Sequence, residues 1–231
     1  MHIAGLNKNS LLDYPGRVAA TIFTGGCNLR CLFCQNSSLI EGLMPELREA
    51  DVLSFLEKRK NVLSGVCITG GEPTLQPDLA HFISEIREMG YAVKIDTNGT
   101  RPEVLRELSE KKLVDYVALD IKTSKDLYRT LCNIDIDVDK VDESAKMLID
   151  GAFPDYEFRT TVVAEYFDRK AAGDVAEWLG GGRRYFLQSF VDTNTTFVGR
   201  GVLHGQTKEE MEAYADILRE TIPEVSLRGI D

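Results

Sequence analysis

Two hydrophobic periods alternate along this chain, and that alternation narrows the fold more than any other feature. Short β-branched apolar runs stand at Val18 to Thr24, Val66 to Thr69, Tyr91 to Ile95, Tyr116 to Ile121, Phe158 to Val163 and Tyr185 to Phe190, and runs of this length and content read as strands. Between and after them, apolar residues recur at helical spacing: Val52, Phe55 and Leu56; Leu79, Phe82, Ile83 and Ile86; Val104, Leu105 and Leu108. The pattern continues with Val138, Val141, Ala145, Leu148 and Ile149, then Ala171, Val175, Trp178 and Leu179, then Met211, Tyr214, Ala215 and Leu218. Six β-α units in strict order imply an α/β fold with a parallel sheet and right-handed crossovers, either doubly wound or an incomplete barrel. Only nine residues follow Ile222, room for one more strand at Val225 to Leu227 but not for two further units. We therefore expect an incomplete (β/α)6 TIM-like barrel, whose open side would admit a bulky substrate.

The run Gly180 to Gly182 is short enough to be an αβ turn, and the sequence shows no repeat, low-complexity stretch or Pro/Ser-rich linker, so residues 1–231 are expected to form one domain. A chain of this length buries about 70% of its surface without cross-links. Its 27 Lys and Arg against 37 Asp and Glu give a formal charge of −10, which repels phosphate backbones and makes nucleic acid an unexpected partner. Apolar runs fall far short of the ~20 residues of a membrane span, and the start has no basic segment followed by an apolar one. A soluble, cytoplasmic protein without a membrane partner is the expectation.

Five cysteines, three of them within eight residues, do not look like a secreted disulfide framework. Cys27, Cys31 and Cys34 follow the first strand directly, where parallel α/β folds present their chemistry. A structural zinc site normally takes four closed ligands, and His2, His81 and His204 all lie far away in sequence. Three thiolates on a 4Fe–4S cluster would instead leave one iron free for an external ligand, and C-x3-C-x2-C lets one short loop wrap three corners. Downstream, Thr69-Gly70-Gly71-Glu72-Pro73 ends the second strand, where adjacent glycines permit close backbone approach to a ligand. The bland alternative is an ordinary glycine-rich βα turn.

Together these two motifs resemble the radical S-adenosylmethionine (SAM) superfamily. The resemblance implies that Cys27, Cys31 and Cys34 hold a 4Fe–4S cluster, that the amino and carboxylate groups of SAM bind the fourth iron, and that Gly70, Gly71 and Glu72 meet the SAM amino group. Phe33 stands where the family commonly has an aromatic residue near the adenine, with Gln35 just beyond. Asp96-Thr97-Asn98-Gly99 ends the third strand and Leu119-Asp120-Ile121-Lys122 the fourth, which puts carboxylates and an ammonium on the same rim; these groups suit the cationic and anionic parts of SAM.

That second pair of motifs resembles the glycyl-radical-enzyme activases, typified by pyruvate formate-lyase activating enzyme. By this resemblance Asp96 meets the SAM ammonium, Lys122 and Asp120 meet its carboxylate and ribose, and a monovalent cation would sit at Asp96, Thr97 and Asp120. Arg159 and Thr161 resemble adenine-side positions. The Ser10 to Gly16 segment and the compact length look most like anaerobic ribonucleoside-triphosphate reductase activating proteins. One departure stands out: Leu187-Gln188-Ser189-Phe190 has no histidine where pyruvate formate-lyase-type activases contact the nucleotide.

The implied function is an activase that takes an electron from flavodoxin or ferredoxin, cleaves SAM reductively and abstracts hydrogen from a glycine of a partner enzyme. No catalytic residue beyond the cluster is called for. A radical SAM enzyme acting on a small molecule is the alternative, and a non-catalytic iron–sulfur electron carrier the alternative from another class. Cys67, Cys132 and Trp178 read as packing, His81 and His204 as structural or solvated, and the acidic stretch Asp135 to Glu143 as a solvated helix start, since it lacks the glycine and glutamate of a calcium loop.

Overall fold

A computed structural model describes residues 1–230. In chain order the strands are β1 (Ile3–Ser10), β2 (Ala19–Thr24), β3 (Gly65–Gly70), β4 (Ala92–Thr97), β5 (Tyr116–Asp120), β6 (Asp155–Val162), β7 (Arg184–Ser189) and β8 (Glu224–Arg228). The helices are α1 (Ser37–Ile40), α2 (Glu49–Arg59), α3 (Leu79–Glu88), α4 (Pro102–Glu110), α5 (Tyr128–Cys132), α6 (Val138–Ile149), α7 (Arg169–Trp178) and α8 (Lys208–Arg219). All eight strands form one sheet in sequential order; β2 to β8 run parallel and β1 pairs antiparallel with β2. The sheet has two edges, β1 and β8, and is the incomplete barrel that the alternation implies.

Each of the six anticipated strands is present, and so is the short one near Val225. β1 is the addition. Its sequence, IAGLNKNS, carries no β-branched run, and its middle is exposed, so an edge strand of this kind gives little periodic signal. The Ser10 to Gly16 segment that follows is a turn in which Ser10 Oγ accepts from the amides of Leu12 and Asp13, both at 3.2 Å. Ser10 pairs with Ala19 at the start of β2, whereas Cys27 follows its end. The segment therefore lies at the opposite end of the barrel from the cysteines.

Strand alternation divides the sheet into two chemistries. Val66, Ile68, Val93, Ile95, Val117, Leu119 and Phe158 are fully buried in one apolar cluster with Phe82, Ile83, Leu105, Val141 and Leu148 of the helices. The other parity faces the barrel interior and is polar: Thr21, Cys67, Lys94, Asp96, Asp120, Glu157 and Arg159. Such groups stay inside only when paired. Glu157, 0% exposed, accepts two bonds from Arg228 at 2.8 Å and one from the Tyr116 hydroxyl at 2.8 Å, and the Arg228 guanidinium lies over the Phe186 ring. This clamp ties the last strand to β6 across the interior.

The residues set aside as structural behave so. Asp137 caps α6 by accepting from the Asp139 amide; Asp142 takes Lys125, Lys146 and Trp178 Nε1. His81 is exposed beside Glu85, and His204 pairs with Glu165 on the surface. Among the described residues no helix is long and apolar enough to cross a membrane.

Replacing Arg228 by Met leaves the buried Glu157 carboxylate with the Tyr116 hydroxyl alone. Stability in urea is expected to fall by about 3–5 kcal/mol, and the double change with Glu157→Leu to recover much of it.

Candidate active site

The cysteine loop is held from three directions. From β3, the Gly71 amide donates to Thr24 O and the Glu72 amide to Gly26 O, both at 2.9 Å. A Cβ on Gly71 would stand 1.9 Å from Gly26 O, and Gly70 has φ +111° with Thr24 backbone 2.6 Å from its would-be Cβ. The paired glycines are thus already demanded by backbone against backbone within the protein. From the far side, the end of α5 backs the loop: Arg30 N donates to Cys132 O at 3.1 Å and Leu32 N to Leu131 O at 3.0 Å. From β4, Asn98 Nδ2 donates to Asn28 Oδ1 at 2.9 Å and Asn28 Nδ2 to Thr100 Oγ1 at 2.7 Å.

Glu72 is 1% exposed. Its Oε1 accepts from Thr74 N (3.1 Å), Thr74 Oγ1 (2.5 Å) and Thr97 Oγ1 (2.7 Å), and its Oε2 from Asn98 N (2.7 Å). Burial pushes its carboxyl upward, and the bonds from Thr74, Asn98 and Thr97 pull the other way. Both oxygens accept from these groups, so its acid group knots the ends of β3 and β4 together.

Next to this knot lies a chain of charges. Lys94 Nζ pairs with Asp96 Oδ1; Arg159 NH1 lies 3.0 Å from Asp96 Oδ2 and its Nε 2.7 Å from Asp120 Oδ1; Lys122 Nζ is 3.1 Å from Asp120 Oδ2. Burial opposes both carboxylates, but Arg159 with Lys94 holds Asp96 below the usual carboxylate range, and Arg159 with Lys122 holds Asp120 well below it. Lys122 is pushed up by Asp120 against its own burial, and its ammonium sits 5.7 Å from the Phe33 ring centre.

One cavity, open to solvent on one side, gathers the residues singled out from the sequence. Cys27, Cys31, Phe33, Cys34 and Gln35 line it from the loop; Gly70, Gly71 and Glu72 from the end of β3; Asp96 and Thr97 from β4; Asp120 and Lys122 from β5; Arg159 and Thr161 from β6. The five oxygens expected to hold a monovalent cation are already engaged. Those of Asp96 and Asp120 face Lys94, Arg159 and Lys122, and Thr97 Oγ1 donates to Glu72 and accepts from the Gly99 amide at 3.1 Å. With three cations already seated on the carboxylate oxygens, the residues present do not fit such an ion.

The thiols do fit a cluster. All three line the cavity, among the described residues they do not converge on a single point, and Cys27 Sγ receives the Leu29 amide at 3.4 Å and the Asn98 amide group at 3.9 Å. Burial, with Glu72 nearby, pushes Cys27 up to about 12; the neighbouring Cys132 thiol and burial raise Cys31 well above the thiol range; burial raises Cys34. Thiols in this environment need a strongly positive centre to ionise, which iron supplies.

Four contributors were not anticipated in these roles. Asn98 and Gln188 line the cavity; Asn98 sits within the same turn motif, and Gln188 in the segment noted for lacking histidine. Cys132 and Cys67 are buried as expected for packing, yet Cys132 lies against Cys31 and Cys67 Sγ lies 3.8 Å from both Asp96 and Lys94. Nothing in their spacing announces these contacts.

The signature of the radical SAM superfamily matches residues 21–179, and the chain belongs to that superfamily, a family of enzymes that use a 4Fe–4S cluster and SAM. A protein of Methanocaldococcus jannaschii, provisionally named as a glycyl-radical enzyme activating enzyme, is 32% identical over 99% of this chain and 96% of its own length. A 7-carboxy-7-deazaguanine synthase of Methanopyrus kandleri is 30% identical over 47% of this chain and 51% of its own. Among solved structures, Streptococcus suis SuiB bound to its precursor peptide SuiA superimposes with TM-score 0.71 at 17% identity, over 90% of this chain and 48% of SuiB. A domain of pyruvate-formate lyase-activating enzyme from Bacteroides vulgatus gives 0.57 at 17% identity, over 72% of this chain and 99% of that one.

Two outcomes follow for the site's framework. Glu72→Ala strands the Thr74, Thr97 and Asn98 donors and is expected to cost about 3 kcal/mol or more in urea unfolding. Because Asp120 titrates below the ~3.9 of an unfolded aspartate, the unfolded chain takes up that proton first, and the group's stabilisation, full above about pH 5, is lost as pH falls. Asp120→Asn should therefore show a shallower loss of unfolding free energy between about pH 5 and 3 than the wild type.

Proposed function

We propose that this chain is a glycyl-radical-enzyme activase, working as one radical SAM domain, and that its client is an anaerobic ribonucleoside-triphosphate reductase. The observation that carries the activase reading is a single cavity lined both by three free thiols and by Asp96 of β4, Asp120 of β5 and Lys122 just beyond it. The near full-length match to a relative named for that activity supports it. The client assignment rests on the Ser10 to Gly16 segment and the compact length, both points of resemblance to the reductase activases.

In this reading Cys27, Cys31 and Cys34 hold the cluster. A reduced 4Fe–4S cluster with one iron free of protein ligand supplies the electron that cleaves SAM to methionine and a 5′-deoxyadenosyl radical. The chain's own residues bind and orient. Lys122 takes the SAM carboxylate, Asp96 and Asp120 the ammonium and ribose side, and the backbone at Gly70, Gly71 and Glu72 the amino group. Phe33, Gln35, Arg159 and Thr161 border the adenine, and Gln188 stands in the stretch that lacks the histidine. A radical is productive only when the target hydrogen is within near-attack distance and water is held off. The open side between β8 and β1 gives a glycine loop a lateral way in. Flavodoxin or ferredoxin is the proposed electron donor and the cytoplasm the proposed location.

The test is anaerobic reconstitution with iron and sulfide, then dithionite and SAM, with 5′-deoxyadenosine as the readout. Wild type is expected to form it and Cys31→Ala to form none. A glycyl-radical EPR doublet should appear only when an anaerobic reductase is added. Deoxyadenosine without that doublet, but with turnover of a purine precursor, would instead favour the small-molecule reading that the partial synthase match raises.

A further inference from the structure

Lys94 is a charge in the interior that no motif accounts for. It is 2% exposed, two residues before Asp96 on β4, and strand alternation puts both on the inner face. Lysine is almost never fully buried without a partner. Its ammonium pairs with Asp96 Oδ1, lies 3.8 Å from Cys67 Sγ and stands 5.9 Å from the Tyr116 ring centre. Arg159 and Lys122 occupy the other three oxygens of the Asp96 and Asp120 carboxylates. Three fixed cations thus surround two carboxylates, so any added metal ion would meet a surplus of positive charge at contact distance.

We infer that Lys94 supplies from within the chain the positive charge that a bound monovalent cation would bring beside Asp96, making SAM binding and cleavage here indifferent to potassium and sodium. An ammonium matches potassium in charge and nearly in size, so Asp96 keeps its orientation and its compensation. A tethered charge does this at any salt composition. The inference rests on the reading that Asp96 and Asp120 face SAM, but its main test needs neither cluster nor SAM.

The full-length chain without cluster is exchanged into choline chloride, then titrated with potassium or sodium chloride at constant ionic strength while thermal unfolding is followed. Thallium-205 NMR reports binding of a potassium mimic directly. Wild-type unfolding curves are expected to superimpose, with no thallium bound. Lys94→Met should gain a saturable rise in Tm of about 2 °C or more with one of the two ions and bind thallium that this ion displaces. Lys94→Gln serves the same purpose should the methionine variant not fold. Saturable stabilisation or thallium binding in the wild type would overturn the inference, and so would a folded variant that stays blind to both ions. With cluster and SAM present, the wild-type rate of deoxyadenosine formation should be unchanged between potassium and choline. Failure of the SAM reading shows separately, as no deoxyadenosine in any salt.

Discussion

A carboxylate with no cation beside it sits at the centre of this structure. Glu72 has been taken out of water, and four donors from Thr74, Thr97 and Asn98 satisfy it. Hydrogen bonds to a charged group contribute about 1.5–3 kcal/mol each, but only while the geometry holds. The ends of β3 and β4 are therefore fixed relative to each other. Because the Glu72 amide also donates to Gly26 O, the loop that carries Cys27 is fixed to the same point. The loop of Cys27, the turn after β4 and the glycine pair thus meet at one buried acid.

The barrel interior follows a second rule. A protein with a formal charge of −10 concentrates Lys94, Lys122, Arg159 and Arg228 inside, each against a buried or half-buried carboxylate. Truncating one member of such a pair leaves the other uncompensated, which costs far more than the pair contributes. The interior is consequently rigid in its charge pattern from Glu157 and Arg228 to Asp120 and Lys122. A ligand with both an ammonium and a carboxylate can exchange partners with these groups without leaving any of them bare.

Six of the helices, α2 to α4 and α6 to α8, and the inner strands were legible in the sequence because each has one apolar parity or stripe, and most of the residues that line the cavity because parallel strands end on a common rim. β1 was hidden, since the edge strand Ile3–Ser10 buries only its ends. The cation at Asp96, Thr97 and Asp120 was an expectation from resemblance, whereas Lys94, which pairs with Asp96, stands there by its inward parity and not by any motif. The same holds for Cys132: its burial was readable from residue type, but its place against Cys31 depends on α5 folding back on the loop. Contacts between strands far apart in sequence leave no periodic trace.

The open side raises a final point about access. Gln35 Nε2 donates to Val191 O at 2.7 Å and Ser37 Oγ to Thr195 O at 2.6 Å, so the segment after β7 is strapped to the segment after Cys34 beside the cavity. Both bonds run from a side chain to backbone at exposed positions, where a net contribution of about 1 kcal/mol each is the usual scale. The framework beneath them is held by buried charged groups whose loss costs several times more. Breaking the strap therefore costs far less than disturbing Glu72, Asp96 and Asp120. Radical chemistry needs that division, because the hydrogen donor must enter and the oxidant's position must not move when it does.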